Sequence, residues 1–251
     1  MFTKAFLEEA GNGKLRHEEE LLREEFERRG IPVTLYTAKR IQRRQLPLSA
    51  ETFIAGDMDA MHGAMRQLKI EIPPPNDYPK SLLPFMHRRV WTSTLGDVER
   101  RVIEGNGEAI FVKPADRRKS FMGRAFISID DFREIGSVSR RQEVWCSEVV
   151  EWVSEYRVYV IGEKVVSVDL YAGDGTFALD SATVEAALAA FRASGEAPSA
   201  YGIDFGVLAM GQTALVEAND GYALGAYKIS ASAYTELLMT RWKELVSTIA
   251  A

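Results

Sequence analysis

Cysteine is almost missing from this chain of 251 residues: Cys146 stands alone. No intramolecular disulfide can form, so a disulfide scaffold is excluded and a reducing compartment fits best. Histidine is scarce too, and His17, His62 and His87 lie far apart in sequence. With one cysteine they cannot assemble a zinc site of the usual Cys/His kind, so any metal is expected on oxygen ligands. No run approaches the roughly 18 to 20 consecutive apolar residues that a membrane helix requires. The residues before His17 hold no apolar core of signal-peptide length. These absences predict a cytoplasmic protein with no membrane partner. Charge of one sign does not dominate either, with 36 acidic against 31 basic side chains and a formal net charge of −5. Mild acidity argues against nucleic acid as the main partner, and the basic cluster Lys39, Arg40, Arg43 and Arg44 reads as a solvated helix face or loop. What the chain does have is 46% hydrophobic residues, enough to bury a core and to exclude a disordered reading.

The pattern predicts a helix over 13–29 ended by Gly30, a strand over 31–36, a strand over 52–55 and a helix over 57–68. The run Pro73-Pro74-Pro75-Asn76-Asp77-Tyr78-Pro79 then breaks regular structure, since prolines lack the backbone donor and fix φ. A domain boundary is expected there, leaving 1–72 as a small α/β unit. Beyond it the pattern predicts a helix over 96–104, strands over 109–112 and 125–129, and strand-like runs over 143–150, 156–161 and 165–171. A helix over 182–193, strands over 203–210 and 214–218 and a final helix carrying Leu237, Leu238, Trp242, Leu245 and Ile249 complete the chain. This order predicts an α+β body in which helices cover antiparallel sheet.

Familiar phosphate and hydrolase motifs fail on inspection. Gly11-Asn12-Gly13-Lys14 lacks the first glycine of a Walker loop, because position 8 is Glu8; His17-Glu18-Glu19-Glu20 lacks a second zincin histidine. No Gly-x-Ser-x-Gly elbow is present. The informative cluster is Asp204 on one expected strand with Glu217 and Asn219 on the next. Alternation puts Glu217 and Asn219 on one face, and a hairpin partner brings Asp204 beside them. Two carboxylates and an amide oxygen suit Mg²⁺; taken alone, such residues are as readily solvated strand ends. Phe111-Val112-Lys113-Pro114 ends a strand with a lysine and leads into the polar loop 115–123, with Arg117, Arg118, Lys119, Ser120 and Gly123. A lysine leaving a buried strand calls for an anion, and a basic loop could close over phosphate, although a surface ammonium is the commoner outcome. Glu148-Val149-Val150-Glu151 can offer backbone groups to a base edge, and Glu155 and Arg157 can bind hydroxyls and an anion. Cys146 reads as a packed thiol, and Trp145 and Trp152 as core or as a lid on a base.

In combination and order, these residues resemble the ATP-grasp superfamily over about residues 88–228. The resemblance rests on Phe111-Val112-Lys113-Pro114, Glu148 with Glu155, Asp204, and Glu217-Ala218-Asn219; the last group is similar in spacing to D-alanine–D-alanine ligases, and Glu155-Tyr156-Arg157 to the glutamate-ligating branch. It implies an ATP-grasp fold, two α+β subdomains over 73–142 and 143–251 clasping ATP, with 1–72 as a reduced N-terminal domain. It implies ATP and Mg²⁺ as cofactors, with two ions or Mn²⁺ admissible. Lys113, Lys119 and Arg89 are implied on the phosphates, Glu148, Val149 and Val150 at the adenine, Glu155 on the ribose, and Asp204, Glu217 and Asn219 on the metal. Arg157, Lys113 and Lys228 are the implied catalytic set, with a surface role equally open for Lys228. The chain departs from the pattern in following Asn219 with Asp220-Gly221, in its basic rather than glycine-rich loop, and in lacking the family's first nucleotide lysine, for which Arg88, Arg89 and Lys80 are candidates. The implied activity joins a carboxylate and an amine through an acylphosphate, with an amino acid, peptide or small metabolite as substrates and a homodimer allowed. The alternatives are an ATP-binding regulatory protein without turnover and a factor that docks a protein or RNA.

Overall fold

The computed structural model describes residues 2–105, 107–116 and 120–250. Three sheets organise them. The first is parallel, in the order β2-β1-β3, from β1 (Lys4–Glu8), β2 (Val33–Tyr36) and β3 (Thr52–Ala55). Helix α1 (His17–Arg28) stops before Gly30, whose φ of 69° ends it cheaply, and α3 (Met58–Leu68) starts at Asp57, whose side chain accepts from the Ala60 N–H at 2.9 Å. β1 is absent from the sequence-derived pattern: its five residues are a short apolar run with charged ends, and only pairing on both sides makes it a central strand. The basic cluster at Lys39 and Arg40 does lie on a helix, α2 (Ala38–Gln42). This sheet shares one core with the far end of the chain, since Phe6, Phe26 and Phe53 join Tyr222, Leu237 and Trp242 in a single apolar cluster.

The proline run has no regular structure and leads into a 3₁₀ turn at Lys80–Phe85. The second sheet, β4-β7-β5-β6, is antiparallel and comprises β4 (Val90–Thr94), β5 (Ile110–Pro114), β6 (Arg124–Phe126) and β7 (Glu143–Glu148), with α4 (Leu95–Glu104) covering it. The strand expected over 125–129 ends at Phe126. Ser128 and Asp131 form a capping box that starts α5 (Ile129–Glu134), a local signal legible as Ser-x-x-Asp.

The third sheet, β11-β10-β8-β9, is antiparallel, from β8 (Trp152–Ile161), β9 (Lys164–Gly173), β10 (Ala200–Leu208) and β11 (Thr213–Asp220). Val158, Val160, Ile203, Phe205 and Leu215 lie on one face and pack on α6 (Ser181–Ala193) through Ala187, Leu188 and Phe191. Helix α7 (Ala231–Ser247) closes the chain's main packing, and a 3₁₀ turn follows it. Gly173 ends β9 at φ 79°, where a Cβ would stand 2.2 Å from the Val153 carbonyl oxygen. Gly173→Ala is therefore expected to cost about 1–3 kcal/mol, read as a lower midpoint in urea unfolding. A midpoint equal to wild type would show that the two strands can part there. No helix among the described residues is long and apolar enough to cross a membrane.

Candidate active site

Residues 149–151 connect β7 to β8 and so join the two antiparallel sheets. Between the sheets lies a cleft of about 670 Å³, lined among others by Asp77, Lys113, Gly123, Glu155, Tyr171, Glu217 and Asn219. The polar lining follows from strand register. Asp204 lies opposite both Glu217 on β11 and Arg157 on β8, Gly202 opposite Asn219, and Glu155 opposite Gly206. Directly opposed residues share a face, so the face opposite the α6 core carries Glu155, Arg157, Asp204, Glu217 and Asn219. Gly202 keeps this face open: a Cβ there would stand 3.4 Å from Arg157 Cδ and 2.8 Å from Leu224.

Arg157 donates from Nε to Asp204 Oδ1 at 2.8 Å and from Nη2 to Oδ2 at 2.7 Å, both partners buried. Asn219 Nδ2 adds a donor to Oδ2 at 3.2 Å. Burial opposes the Arg157 charge, but the paired carboxylate of Asp204 outweighs it and raises the guanidinium pKa. From the other sheet, Lys113 Nζ reaches Glu217 Oε2 at 2.5 Å and Asp77 Oδ2 at 2.7 Å, and sits 4.5 Å from the centre of the Tyr78 ring. Burial again works against charge. Glu217 and Asp77 nevertheless raise the Lys113 pKa, and Lys113 holds Glu217 below the usual carboxylate range despite its burial. Tyr171 donates to Glu155 Oε2 at 3.0 Å and stacks on Tyr227 at 4.9 Å, and Tyr227 in turn lies under Arg157 at 5.1 Å.

The structure thus brings Lys113, Glu155, Arg157, Asp204, Glu217 and Asn219 together. Other expected residues fall elsewhere. Arg89 is exposed over the Trp91 ring, while Arg88 turns inward, donating to the carbonyls of Leu215 and Val216 at 2.6 and 3.0 Å and lying 5.2 Å over Trp152. Of the candidates for the missing nucleotide lysine, Arg88 is therefore the one directed at the cleft strands. Glu148 is exposed, and its carboxylate accepts from the Arg89 N–H at 3.0 Å, so it braces the start of β4 against the end of β7. Val149 is 48% exposed, and neither it nor Val150 lines the cleft. Lys228 is exposed, is not among the cleft residues, and meets the site through its backbone N–H, which donates to Asp169 Oδ2 at 2.7 Å. Lys119, Arg117 and Arg118 lie outside the described residues. Cys146 is a packed thiol, with burial pushing its pKa up to about 12. Trp145 packs edge-on against Tyr78, centroids 5.0 Å apart.

Sequence reasoning missed Asp77 and Tyr78, which read as linker, and Tyr171 and Tyr227. Nothing local marks Asp77, whereas the alternation of Tyr171 with Asp169 on a strand is at least a weak signal.

The donor set fits a hard divalent cation. Asp204 and Glu217 oppose one another in the ladder and Asn219 lies two residues further along the same face, which matches the oxygen ligands Mg²⁺ prefers. Among the described residues no three His, Cys, Asp or Glu side chains gather into a metal cluster, so the set depends on the amide of Asn219. Both carboxylates carry a cationic side chain, Arg157 on one and Lys113 on the other.

Two antiparallel sheets facing across a cleft, with a lysine from one meeting an Asp, Glu and Asn set on the other, define an ATP-grasp protein. Residues 85–237 match a family described as an ATP-grasp domain, the second family of its clade, and the chain belongs to that family. No curated protein matches the chain. Among solved structures it is similar to D-alanyl-alanine synthetase A from Vibrio cholerae, at 14% identity and a TM-score of 0.59 over 99% of this chain and 98% of that one. It is also similar to D-alanine–D-alanine ligase from Bacillus anthracis, at 12% identity and 0.56 over 98% of each chain. A third is the ATP-grasp ligase PsnB in complex with a minimal precursor, Mg and ADP, at 11% identity and 0.52 over 96% of this chain and 97% of that one. At such identities these likenesses establish the fold.

Proposed function

We propose that this protein is an ATP-dependent ligase that joins a carboxylate to an amine. The observation that carries the proposal is the meeting of Lys113 with Glu217 across the cleft, beside the buried Arg157–Asp204 pair. A cation from one sheet and a ligand carboxylate from the other converge where the phosphates of a clasped nucleotide belong. In this reading an oxygen of the acid substrate bonds to the γ-phosphorus of ATP as the bond to ADP breaks. The amine nitrogen then bonds to the acyl carbon, inorganic phosphate leaves with its bonding electrons, and the amine gives up a proton. Little covalent chemistry falls to the protein, whose side chains position groups and balance charge. Asp204, Glu217 and Asn219 are the residues that hold Mg²⁺, which supplies charge neutralisation at the phosphate oxygens. Lys113 binds phosphate. Arg157, fixed by Asp204, presents Nη1 on the far side of its fork toward Gly225, the carbonyl there lying at 3.4 Å. Glu155, oriented by Tyr171, takes the ribose hydroxyls, and the backbone of 148–150 serves the base. A second ion, Mn²⁺ in place of Mg²⁺, a homodimer and peptide or amino-acid substrates belong to the same proposal on the family resemblance; PsnB and the D-alanine ligases are named for such substrates.

The test is calorimetric titration of ATP with and without Mg²⁺, comparing wild type with Glu217→Gln. Replacing Glu217 is the better probe, because removing Asp204 would strand the buried Arg157 charge and confuse folding with binding. Magnesium-dependent binding that disappears in the variant is expected. Binding of equal strength in the variant would remove Glu217 from the metal. Glu155→Ala is expected to weaken ATP binding by about tenfold or more, the size of a hydrogen bond to a charged group, with a smaller change in kcat. An unchanged ATP dissociation constant would take Glu155 off the ribose.

A further inference from the structure

Asp77 is the residue of the cleft that neither its sequence context nor the proposed ligase chemistry accounts for. It comes from the proline-rich segment that runs past the outer edge of β11, and it is held in place from both sides. Its carbonyl accepts from the Ala218 N–H at 2.9 Å, between Glu217 and Asn219 in the chain. Its neighbour Tyr78 is buried against Trp145 and beneath Lys113. The carboxylate is thereby delivered to Lys113 at 2.7 Å while lining the cleft, with 30% of its side chain exposed against 12% for Lys113. Lys113 does not need it for burial, because Glu217 already pairs with the ammonium.

The consequence is electrostatic. Among the described residues at this spot, Asp77, Glu155, Asp204 and Glu217 stand against Arg88, Lys113 and Arg157, so carboxylates outnumber cations before any ligand enters. Phosphate groups that arrive without a cation must take Lys113 from Asp77 and then lie beside that carboxylate in a partly buried site, where charge is poorly screened. Phosphate groups that arrive with a divalent cation bring the charge that offsets it. Resting on the reading that Lys113 binds the nucleotide, we propose that Asp77 is a specificity residue which makes the cleft discriminate against metal-free nucleotide. It competes for the phosphate lysine, and the competition is relieved by the cation that accompanies the phosphates.

The test is calorimetry of ATP in excess EDTA and in excess Mg²⁺ for wild type, Asp77→Asn, Asp77→Glu and Lys113→Ala. Asn keeps the shape of the side chain and the backbone bond to Ala218, so it isolates the charge. Asp77→Asn is expected to tighten metal-free ATP binding by about tenfold, which corresponds to roughly 1.4 kcal/mol, and to change Mg²⁺–ATP binding much less. The ratio of the two dissociation constants then falls. Asp77→Glu is expected to retain the wild-type ratio. An Asp77→Asn ratio equal to wild type, or weaker binding of metal-free ATP, overturns the inference while leaving Lys113 as the phosphate residue. Unaltered ATP binding in Lys113→Ala overturns instead the nucleotide reading of the lysine, and the role of Asp77 with it.

Discussion

Lys113→Ala is expected to lower kcat/KM by roughly 10²- to 10³-fold, the cost of removing a preorganised donor from a site where charge develops. The ammonium is 12% exposed and is held by two carboxylates, so water that enters the vacated space cannot take over its charge. Asp77 and Glu217 are left facing one another without their shared cation, and incoming phosphates meet two anions in place of one ammonium. Lys113 is also what keeps Glu217 below the usual carboxylate range, so its loss raises the Glu217 pKa and weakens that residue as a ligand. Lys113→Arg is not expected to rescue turnover, because the planar guanidinium is bulkier where Tyr78 packs beneath and offers a different donor geometry. ATP-dependent phosphate release with an acid and amine pair that support wild-type turnover measures the effect. A loss smaller than about tenfold would place the lysine outside the phosphate site. Urea unfolding of the same variant separates loss of chemistry from loss of fold.

The largest effect on stability is expected at Arg157. Arg157→Met removes both bonds to Asp204 and leaves that carboxylate, 2% exposed, with the single amide donor of Asn219. Breaking a buried pair by deleting one partner costs about 3–5 kcal/mol, a loss visible in linear extrapolation of urea unfolding. The second change Asp204→Asn in the same chain should recover much of it, since a neutral amide no longer has a charge to desolvate. The double variant should therefore be more stable than Arg157→Met alone, and the coupling between the two positions should be large. If Arg157→Met unfolds at the wild-type denaturant concentration, the pair contributes nothing and Arg157 is free to serve the ligand alone. Either way the variant is expected to be inactive. Arg157→Lys is a poor substitute, because a point charge cannot reproduce two parallel bonds.

These two residues show how far the site could be read beforehand. Lys113 at the end of an apolar strand and Arg157 within a β-rich run both stood out by residue type, and the spacing of Asp204, Glu217 and Asn219 suggested a shared face. Their mutual pairing did not. Nothing along the chain tells that Arg157 opposes Asp204 rather than a solvent-facing residue of β9, since that depends on which strand lies between which. The elements behaved alike. Long or regular segments such as α3, α6 and the strands of the third sheet agree with their apolar periodicity to within a few residues. β1 and β4 are short, carry polar residues, and exist because partners alongside satisfy their backbone groups.

By itself the sequence determined the type and local spacing of the chemistry: period-two alternation places Glu217 with Asn219 and Glu155 with Arg157, because successive side chains on a strand must point to opposite faces. Tertiary structure decided which of two adjacent arginines turns inward, Arg88 rather than Arg89, and it converted Asp77 from a linker residue into a partner of Lys113. Both outcomes depend on contacts between segments distant along the chain, the Arg88 guanidinium on the β11 carbonyls and the Asp77 carbonyl on the Ala218 N–H. Backbone groups at the edge of a sheet must be satisfied by whatever the fold brings past them, and no local pattern of residues encodes what that will be.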